Sequence, residues 1–375
     1  MSPERPVVLH VVEPLAAGIL KSISGLSRAM DGLATLYVLH GQRDLPPDYR
    51  LQFPETVKFL DWNVKREISL WHDILAIRQL HQVIGDIKPD IIHAHSSKAG
   101  ALCRIPVPNS RHKLIYSPRG YSFARLDLSV VKRFAYFLIE WLLGRAAYLT
   151  IACGKAEYVA ALKVARRVRL IPNMVSVVSC DKLDSSNEPI DNKPEASSIS
   201  VPTIVMSGRI APQKNFPFFC MVAAEMVDLP CQFLWIGDGP IPDETTVPSN
   251  VKVTGWKTYD ETTRMVEESA IFFQCSLWEG LPNSVLEAMA LGRPVVALAA
   301  MGNTELVVDG FNGYVCDDLA GAVRRLTELV GSRDTRKAFG EGSRAIIASN
   351  YSRDYLEEVW RSLYLNYERY YRHPS

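Results

Sequence analysis

Short apolar runs alternate with amphipathic stretches along the first half of the chain. Five runs have the length and composition of buried strands, at residues 6–12, 35–41, 89–95, 113–118 and 148–152. Apolar positions with helical spacing lie between these runs, at residues 17–30, 71–84 and 130–145. Strands that alternate with helices predict a parallel α/β sheet.

The same alternation restarts in the second half. Six more runs predict strands, at residues 202–208, 231–237, 251–255, 270–275, 294–300 and 313–316, and helical patterns lie between most of them. We therefore predict two doubly wound α/β domains whose sheets face each other across a cleft. Ligands of such sheets bind on the loops that follow the strands.

A polar segment separates the two domains. Residues 179–200 are rich in Ser, Asp and Asn, as surface linkers are. The pattern divides the chain into an N-terminal domain, a linker, a C-terminal domain and a terminal helix, at residues 1–178, 179–200, 201–350 and 351–375. We expect the aromatic terminal helix to pack back on the N-terminal domain, with a simple cap as the alternative.

Composition and charge argue against several classes of protein. The 375-residue chain has a net charge of +1, so no global field attracts nucleic acid. Its seven cysteines include no C-x-x-C pair, which favours a reducing compartment over a disulfide framework or a zinc site. We expect a cytoplasmic protein without a membrane span, because the N-terminus lacks a signal-peptide pattern and Glu140 and Arg145 interrupt the most apolar stretch.

One strand-to-helix loop carries two carboxylates. In LWEGLPNSVLEAMALG, residues 277–292, a strand leads into a turn and then into a helix. The helix N-terminus can seat a phosphate, Glu287 inside the helix can bind a ribose diol, and Glu279 before the turn can bind another polyol. These are the parts of a nucleotide sugar. Two solvated glutamates beside an ordinary turn are the alternative.

A second loop carries two cations. Arg209 and Lys214 lie in SGRIAPQKN, residues 207–215, after a predicted strand and before a helix. An arginine fork and a lysine point charge together can neutralise a diphosphate, and ordinary surface charges are the alternative. The GDGP run, residues 237–240, lacks the spacing of a dinucleotide fingerprint.

The loops of the first half are less specific. Gly18 at a helix start permits close approach of the backbone to a diphosphate or a sugar, although a plain connector fits equally well. His93 and His95 point the same way on one strand, but we see no further ligand for a metal at a matching position. His95, Lys98 and Tyr121 are candidates for contact with an acceptor.

Together these motifs resemble the family 4 glycosyltransferases, which have the GT-B fold of two facing Rossmann-like domains. The E-x7-E pair from Glu279 to Glu287 is the most specific motif, and SGRIAPQKN looks like the G-R-x-x-x-x-K loop of the family. KPDIIHAHSSKAG and YSPRGYSF look like the members that build bacterial surface polysaccharides. The resemblance covers nearly the whole chain.

The resemblance implies a role for each motif residue. Arg209 and Lys214 would hold the donor diphosphate and stabilise the leaving charge. Glu287 would bind the ribose, Glu279 the donor sugar, and Gly18 would approach the donor from the other domain. The turn around the helix start would meet the phosphates with Gly280, Leu281, Pro282, Asn283 and Ser284. Family members retain the anomeric configuration without a metal or other cofactor, so catalysis would rest on positioning and electrostatic stabilisation.

Three positions depart from the family pattern. Arg119 stands where many members have a histidine near the donor sugar. Arginine cannot act as a neutral base but can stabilise charge, so Arg119 is a catalytic candidate that suggests an unusual donor or lost activity. The other two departures are Ala17-Gly18 and MGNTE, residues 301–305, where glycine pairs are usual.

The resemblance also suggests an acceptor, a polyprenyl-diphosphate-linked sugar at the inner face of the cell membrane. The basic and aromatic segment at residues 113–141, with Lys132 and Arg133, could lie on anionic lipid, and a core helix is the alternative. Our main hypothesis is transfer from a UDP- or GDP-linked sugar to a growing glycan. A non-catalytic partner that binds sugar nucleotides and a GT-B epimerase are the alternatives.

Overall fold

The computed structural model describes residues 5–46, 48–105, 112–125, 127–175 and 201–366. The predicted linker, residues 179–200, and the end of the predicted terminal helix, residues 367–375, lie outside the described residues. The chain divides into two compact units, one formed by Met1–Met174 with Arg353–Ser375 and the other by Val175–Ser352. Residues from both ends of the chain therefore belong to the first unit.

The first unit contains a seven-stranded parallel sheet. Its strands are β1 (Val7–Pro14), β2 (Thr35–Gly41), β3 (Lys58–Asp61), β4 (Ile91–His95), β5 (Lys113–Ser117), β6 (Leu149–Ala152) and β7 (Val168–Leu170). Their order across the sheet is β3-β2-β1-β4-β5-β6-β7. The helices that follow strands along the chain are α1 (Ala17–Ala29), α2 (Leu70–Ile87), α3 (Ser97–Cys103), α4 (Val130–Leu143) and α5 (Lys155–Leu162).

The second unit contains a six-stranded parallel sheet. Its strands are β8 (Thr203–Ser207), β9 (Gln232–Ile236), β10 (Val251–Val253), β11 (Ile271–Gln274), β12 (Val295–Leu298) and β13 (Gly313–Cys316), in the order β10-β9-β8-β11-β12-β13. The helices are α6 (Phe216–Glu225), α7 (Tyr259–Glu267), α8 (Asn283–Ala290), α9 (Leu319–Gly331) and α10 (Arg333–Asn350). The prediction of two Rossmann-like parallel-sheet domains is confirmed.

The strands that the sequence pattern missed both lie at the edges of the first sheet. β3 and β7 are short, with the sequences KFLD and VRL, and none of their residues is fully buried. An edge strand has only one neighbour and need not be apolar on both faces. β1, in contrast, lies between β2 and β4 and is buried along most of its length, which explains its continuous apolar run.

The last helix, α11 (Arg353–Leu365), packs against α1 in the first unit. Its buried face consists of Leu356, Trp360, Leu363 and Tyr364, which join the core on that side of the sheet. Arg361 Nε donates a hydrogen bond of 2.9 Å to the carbonyl oxygen of Ala29. An apolar face and one side-chain hydrogen bond therefore hold this helix to the N-terminal unit.

Helix α4 contains the first part of the most apolar stretch of the sequence. Its Glu140 is buried, where Oε2 lies 2.8 Å from Arg104 Nη1 and Oε1 accepts a 3.0 Å hydrogen bond from Tyr116 OH. The carboxylate that interrupts the apolar run thus faces the protein interior and is paired. Among the described residues, no helix combines the length and the hydropathy that a membrane span requires.

Candidate functional site

The strand order gives each sheet one switch point. In the second unit it lies between β8 and β11, and in the first between β1 and β4. The connections from the two strands at a switch point run to opposite faces of the sheet, which leaves a crevice at the carboxyl ends where ligands bind. The motif residues of the C-terminal half lie on the two loops at the second unit's switch point.

The loop after β8 carries the two predicted cations. Arg209 is exposed, and Lys214 ends a short 3-10 turn, Pro212–Lys214, with a half-buried side chain. Asn215 follows with a left-handed backbone, φ 58°, and α6 begins after it. The turn brings Lys214 back toward the loop after β11.

The GDGP run braces this loop. A Cβ on Gly237 would lie 2.1 Å from the carbonyl oxygen of Gly208, and a Cβ on Gly239 would lie 2.5 Å from that of Ile210. Both glycines also have positive φ, 145° and 148°. Only glycine lets the two loops pack this closely, so the run is a structural support rather than a dinucleotide fingerprint.

Helix α8 presents its N-terminus at the same switch point. Pro282 is the N-cap residue, and its side chain makes no capping hydrogen bond. Leu281 and Pro282 are buried, Gly280, Asn283 and Ser284 are half-buried, and Glu287 is half-buried one turn into the helix. The N-terminal end of the helix dipole lies at this switch point, with the Glu287 carboxylate one turn into the helix, and its role in binding an anion stays a prediction.

An ion pair joins the two loops. Lys214 Nζ lies 2.7 Å from Glu279 Oε1, and Gln213 Nε2 lies 3.2 Å from the other carboxylate oxygen of Glu279. Gln274 Nε2, at the end of β11, lies 3.4 Å from Glu279 Oε1. The Glu279 side chain is largely buried, so its charge depends on these donors. Gln213 and Gln274 were not predicted as site residues, because a lone amide side chain gives no sequence signal of its own.

The 301–305 loop supports Glu279 from the opposite side. The amide of Glu279 donates a 2.9 Å hydrogen bond to the carbonyl oxygen of Met301. Gly302 has φ 86°, and a Cβ there would lie 2.7 Å from the carbonyl oxygen of Glu279. Buried Asn303 donates from Nδ2 to the carbonyl oxygen of Ser276 over 3.2 Å. The second glycine of the family pair is therefore present where the backbone needs it, and Met301 replaces only the first.

The remaining candidates lie in the first unit. Gly18 is half-buried in the first turn of α1, after β1. Arg119 follows β5, and its Nη1 donates to Asn173 Oδ1. Lys98 Nζ lies 2.6 Å from Asp73 Oδ1 and is thus already paired, while Tyr121 is buried. Tyr121 and Lys98 therefore do not form an open acceptor surface, and their role in acceptor binding stays a prediction.

A histidine cluster lies at the first unit's switch point. His10 on β1 is the register partner of His93 on β4, and His95 is two residues further on the same face. His10 Nδ1 lies 3.0 Å from His95 Nε2, and His93 contacts Tyr364 OH and Ser117 Oγ over 2.5 and 2.8 Å. The expectation that no further metal ligand stands at a matching position is therefore wrong, because the strand register brings His10 beside His93.

The cluster can be compared with a metal site. Each imidazole has one nitrogen that lies within 4.8 Å of a nitrogen of the other two. Among the described residues, no other group of three histidine, cysteine or carboxylate ligands lies this close together. Several ring nitrogens already have hydrogen-bond partners, which a metal would displace. Burial, with the nearby charge of Arg119, lowers the pKa of His10 to about 3, and the pKa values of His93 and His95 are also well below normal. The three imidazoles are thus neutral at pH 7.

Two family models match the chain. Residues 4–174 match the model described as "Glycosyl transferase 4-like domain", and residues 201–331 match the model described as "Glycosyl transferases group 1". Between them they cover most of both units, including the loops after β5, β8 and β11.

The chain is also similar to curated proteins of bacteria. It is 27% identical over 294 residues to the Escherichia coli protein UDP-Gal:alpha-D-GlcNAc-diphosphoundecaprenol alpha-1,3-galactosyltransferase, covering 70% of this chain and 73% of that protein. It is 25% identical over 308 residues to the lipopolysaccharide core biosynthesis glycosyltransferase LpsE of Rhizobium meliloti strain 1021, covering 80% and 82%.

Solved structures share the fold over nearly the whole chain. Anabaena HepE in complex with UDP-glucose has a TM-score of 0.74 at 16% identity, covering 96% of this chain and all of that one. Sucrose-phosphate synthase from Thermosynechococcus elongatus has a TM-score of 0.77 at 14% identity, covering 98% of this chain and 100% of that one. At these identities the likeness shows the fold alone.

Proposed function

The chain belongs to the family 4 glycosyltransferases, and we propose that it transfers the sugar of a UDP-linked nucleotide-sugar donor to a saccharide carried on a polyprenyl diphosphate. We further propose that the anomeric configuration is retained, in the synthesis of a bacterial surface polysaccharide. The E. coli relative, by its name, uses UDP-Gal and a diphosphoundecaprenol-linked sugar. That name supports UDP over GDP and a lipid-linked acceptor.

The observation that carries the proposal is the Lys214–Glu279 ion pair, which joins the loop after β8 to the loop that leads into the N-terminus of α8. A diphosphate that enters this switch point finds a helix N-terminus, the exposed Arg209 and a lysine that can exchange one anion for another. When Lys214 moves to the diphosphate, Glu279 loses its cation and gains acceptor capacity for sugar hydroxyls. Donor binding is thus an exchange of partners within an existing charged site.

Each group then has a chemical task. Arg209 and Lys214 stabilise the negative charge that develops on the leaving diphosphate, while Glu287 accepts hydrogen bonds from the ribose diol. Glu279 holds the donor sugar, and its carboxylate faces the positive charge that develops at the anomeric carbon. The leaving phosphate takes the proton of the acceptor hydroxyl, so no separate protein base is needed.

We propose that no metal or other cofactor takes part. Arg209, Lys214 and the helix dipole neutralise the negative charge of the donor diphosphate, so a divalent cation is not needed for this task. Activity is therefore expected to persist in excess EDTA, measured as UDP release. Loss of activity in EDTA with recovery on adding one metal would contradict this part of the proposal.

We also propose that the first unit lies on an anionic membrane surface on the cytoplasmic side. Val130, Val131, Phe134 and Leu142 on α4 are between 60% and 78% exposed. Lys132 is exposed at the start of the same helix. A helix with an exposed apolar face and basic residues suits the interface of a bilayer, where a lipid-linked acceptor resides.

The test is a transfer assay with radiolabelled donors. UDP-galactose, UDP-glucose, UDP-N-acetylglucosamine and GDP-mannose are each incubated with the protein and undecaprenyl-diphosphate-N-acetylglucosamine, and lipid-extractable label is counted. We expect label in the lipid with a UDP-sugar, and loss of this label in Lys214→Ala but not in the exposed control Lys252→Ala.

The alternative functions give different results in the same assay. An epimerase would convert the donor without labelling the lipid. A non-catalytic binding protein would raise its melting temperature with UDP but release no UDP from any donor. Either result would overturn the proposed transfer, and transfer from GDP-mannose alone would overturn the choice of UDP.

A further inference from the structure

Arg119 occupies a strained turn at the carboxyl end of β5. Its φ is 57° and that of Gly120 is 99°, so two successive residues are left-handed. A residue other than glycine is uncommon in the left-handed region of backbone conformation. The strain of this conformation persists only where surrounding contacts hold the backbone in place. β5 neighbours β4, so the turn lies beside the first unit's switch point.

A buried carboxylate enforces the turn. Glu157 on α5 accepts a 2.5 Å hydrogen bond from the amide of Gly120 and a 2.7 Å hydrogen bond from the amide of Cys153. Both carboxylate oxygens are therefore engaged by backbone, and Glu157 is 2% exposed. The carboxylate fixes the direction in which the Arg119 side chain leaves the backbone.

Among the residues that the structure describes, the guanidinium of Arg119 has a neutral hydrogen-bond partner but no ion-pair partner. Nη1 donates to Asn173 Oδ1, while Nε is buried and has no hydrogen-bond partner. The described residues provide no carboxylate in an ion pair with it. With Asn173 and Trp360, Arg119 lines a cavity of about 10 Å³, which holds no more than one water.

The neighbouring histidines do not compensate the charge of Arg119. The three imidazoles of His10, His93 and His95 are neutral, and the charge of Arg119 is one cause of their low pKa values. A partly buried cation that has an unsatisfied donor and no ion-pair partner among the described residues is unfavourable in the free protein. Such an arrangement is stabilised when an oxyanion binds, because guanidinium forms short, charge-assisted hydrogen bonds to carboxylate and phosphate.

We propose that Arg119 is a specificity-determining residue that binds an oxyanion of the substrate, supplied by the carboxylate of an acidic donor sugar or by the diphosphate of the acceptor. Asn173 is then a positioning residue that orients the guanidinium, and Glu157 is a positioning residue that fixes the turn. The inference rests on the proposed function, since it concerns the substrates of the same reaction.

The experiment compares charged and neutral substrates in matched pairs. The donor pairs are UDP-glucuronate with UDP-glucose and UDP-galacturonate with UDP-galactose. The acceptor pair is one saccharide presented as a lipid diphosphate and as a neutral octyl glycoside. The ratio of kcat/KM within each pair is measured for the wild type, Arg119→Gln, Arg119→Lys and the exposed control Arg166→Gln.

We expect Arg119→Gln to lower the charged-to-neutral ratio of one pair on the order of 10- to 100-fold, as loss of a hydrogen bond to a charged group does. Arg119→Lys should recover part of the ratio, because lysine keeps the charge but not the fork. Arg166→Gln should leave every ratio unchanged. A drop in the donor pairs identifies the carboxylate as the ligand, and a drop in the acceptor pair identifies the phosphate.

A further variant separates this role from a structural one. Asn173→Asp has the shape of the wild type but gives the guanidinium a carboxylate partner, so it should lower the same ratio while Arg119 is still present. The inference is overturned if Arg119→Gln changes all ratios by less than twofold, or lowers charged and neutral rates equally. A wild type that turns over neither donor class refutes the proposed function itself, and this inference with it.

Discussion

Lys214 Nζ lies 2.7 Å from Glu279 Oε1, although 65 positions separate the two residues in the chain. The pair ties the loop after β8 to the loop after β11, across the switch point of the second sheet. The attraction between the two opposite charges offsets part of the desolvation free energy of burying them. In the proposed function, Lys214 then acts on the leaving diphosphate and Glu279 on the donor sugar.

Variants of the Lys214–Glu279 pair should affect thermal stability and catalytic activity differently. Lys214→Ala should lower kcat/KM about 10²- to 10³-fold, as loss of one charge-stabilising group does. It should also lower the melting temperature, because Glu279 keeps a buried charge without its cation. The double variant Lys214→Ala/Glu279→Gln should regain stability without regaining activity. A double variant that is less stable than Lys214→Ala would contradict this account of the pair.

Glu287 should act on donor affinity. Glu287→Gln replaces a carboxylate acceptor by an amide, so the charge-assisted hydrogen bonds to the ribose are weakened. We expect KM for the donor and the inhibition constant of free UDP to rise on the order of 10-fold, with a smaller change in kcat. The exposed Glu341→Gln on α10 is the matched control. If the variant lowers kcat while KM and UDP inhibition stay at wild-type values, Glu287 does not hold the ribose.

The exposed face of α4 should determine membrane binding. Val131 is 78% exposed and Phe134 66% exposed, and burial of each in a bilayer contributes about 1.5–3 kcal/mol. Val131→Asp/Phe134→Asp should therefore abolish flotation with vesicles that contain phosphatidylglycerol. Met221→Asp, at a 51% exposed site on α6, should float like the wild type. Binding should also fall with salt, and wild-type protein that stays entirely in the soluble fraction would refute the surface.

Acid should destabilise the first unit through the histidine cluster. The pKa of His10 is about 3 in the folded protein against 6.5 in the unfolded chain. The unfolded state therefore binds more protons between these values, and stability rises with pH from about 3 to 6.5 and is level above. His10 alone should make unfolding about 2 kcal/mol easier at pH 5 than at pH 8.

Urea unfolding at pH 5 and pH 8 measures this dependence. His10→Gln should reduce the difference in the free energy of unfolding between the two pH values, whatever its effect on absolute stability. The neighbouring His93 and His95 titrate in the same direction, so a residual slope is expected in His10→Gln. A slope unchanged by His10→Gln would show that the cluster is not the cause.

Local pattern was sufficient for much of the architecture. A buried parallel strand needs a continuous apolar run and a helix needs apolar residues at helical spacing, and both signals are contained in a few neighbouring residues. Each of the eleven predicted runs overlaps a strand, and the loops with Arg209, Lys214 and Glu279 follow strands as expected. β3 and β7 were missed because edge strands lack that signal.

The sequence by itself determined which residue types stand on which loop, because a motif is a property of adjacent positions. Only the tertiary structure decided which of these residues meet. The register of β1 on β4 sets His10 beside His93, and the packing of α11 brings Tyr364 to that cluster. Asn173 reaches Arg119 from 54 positions away. Strand order and helix packing bring such distant residues together. A local pattern of apolar and polar positions does not predict these contacts.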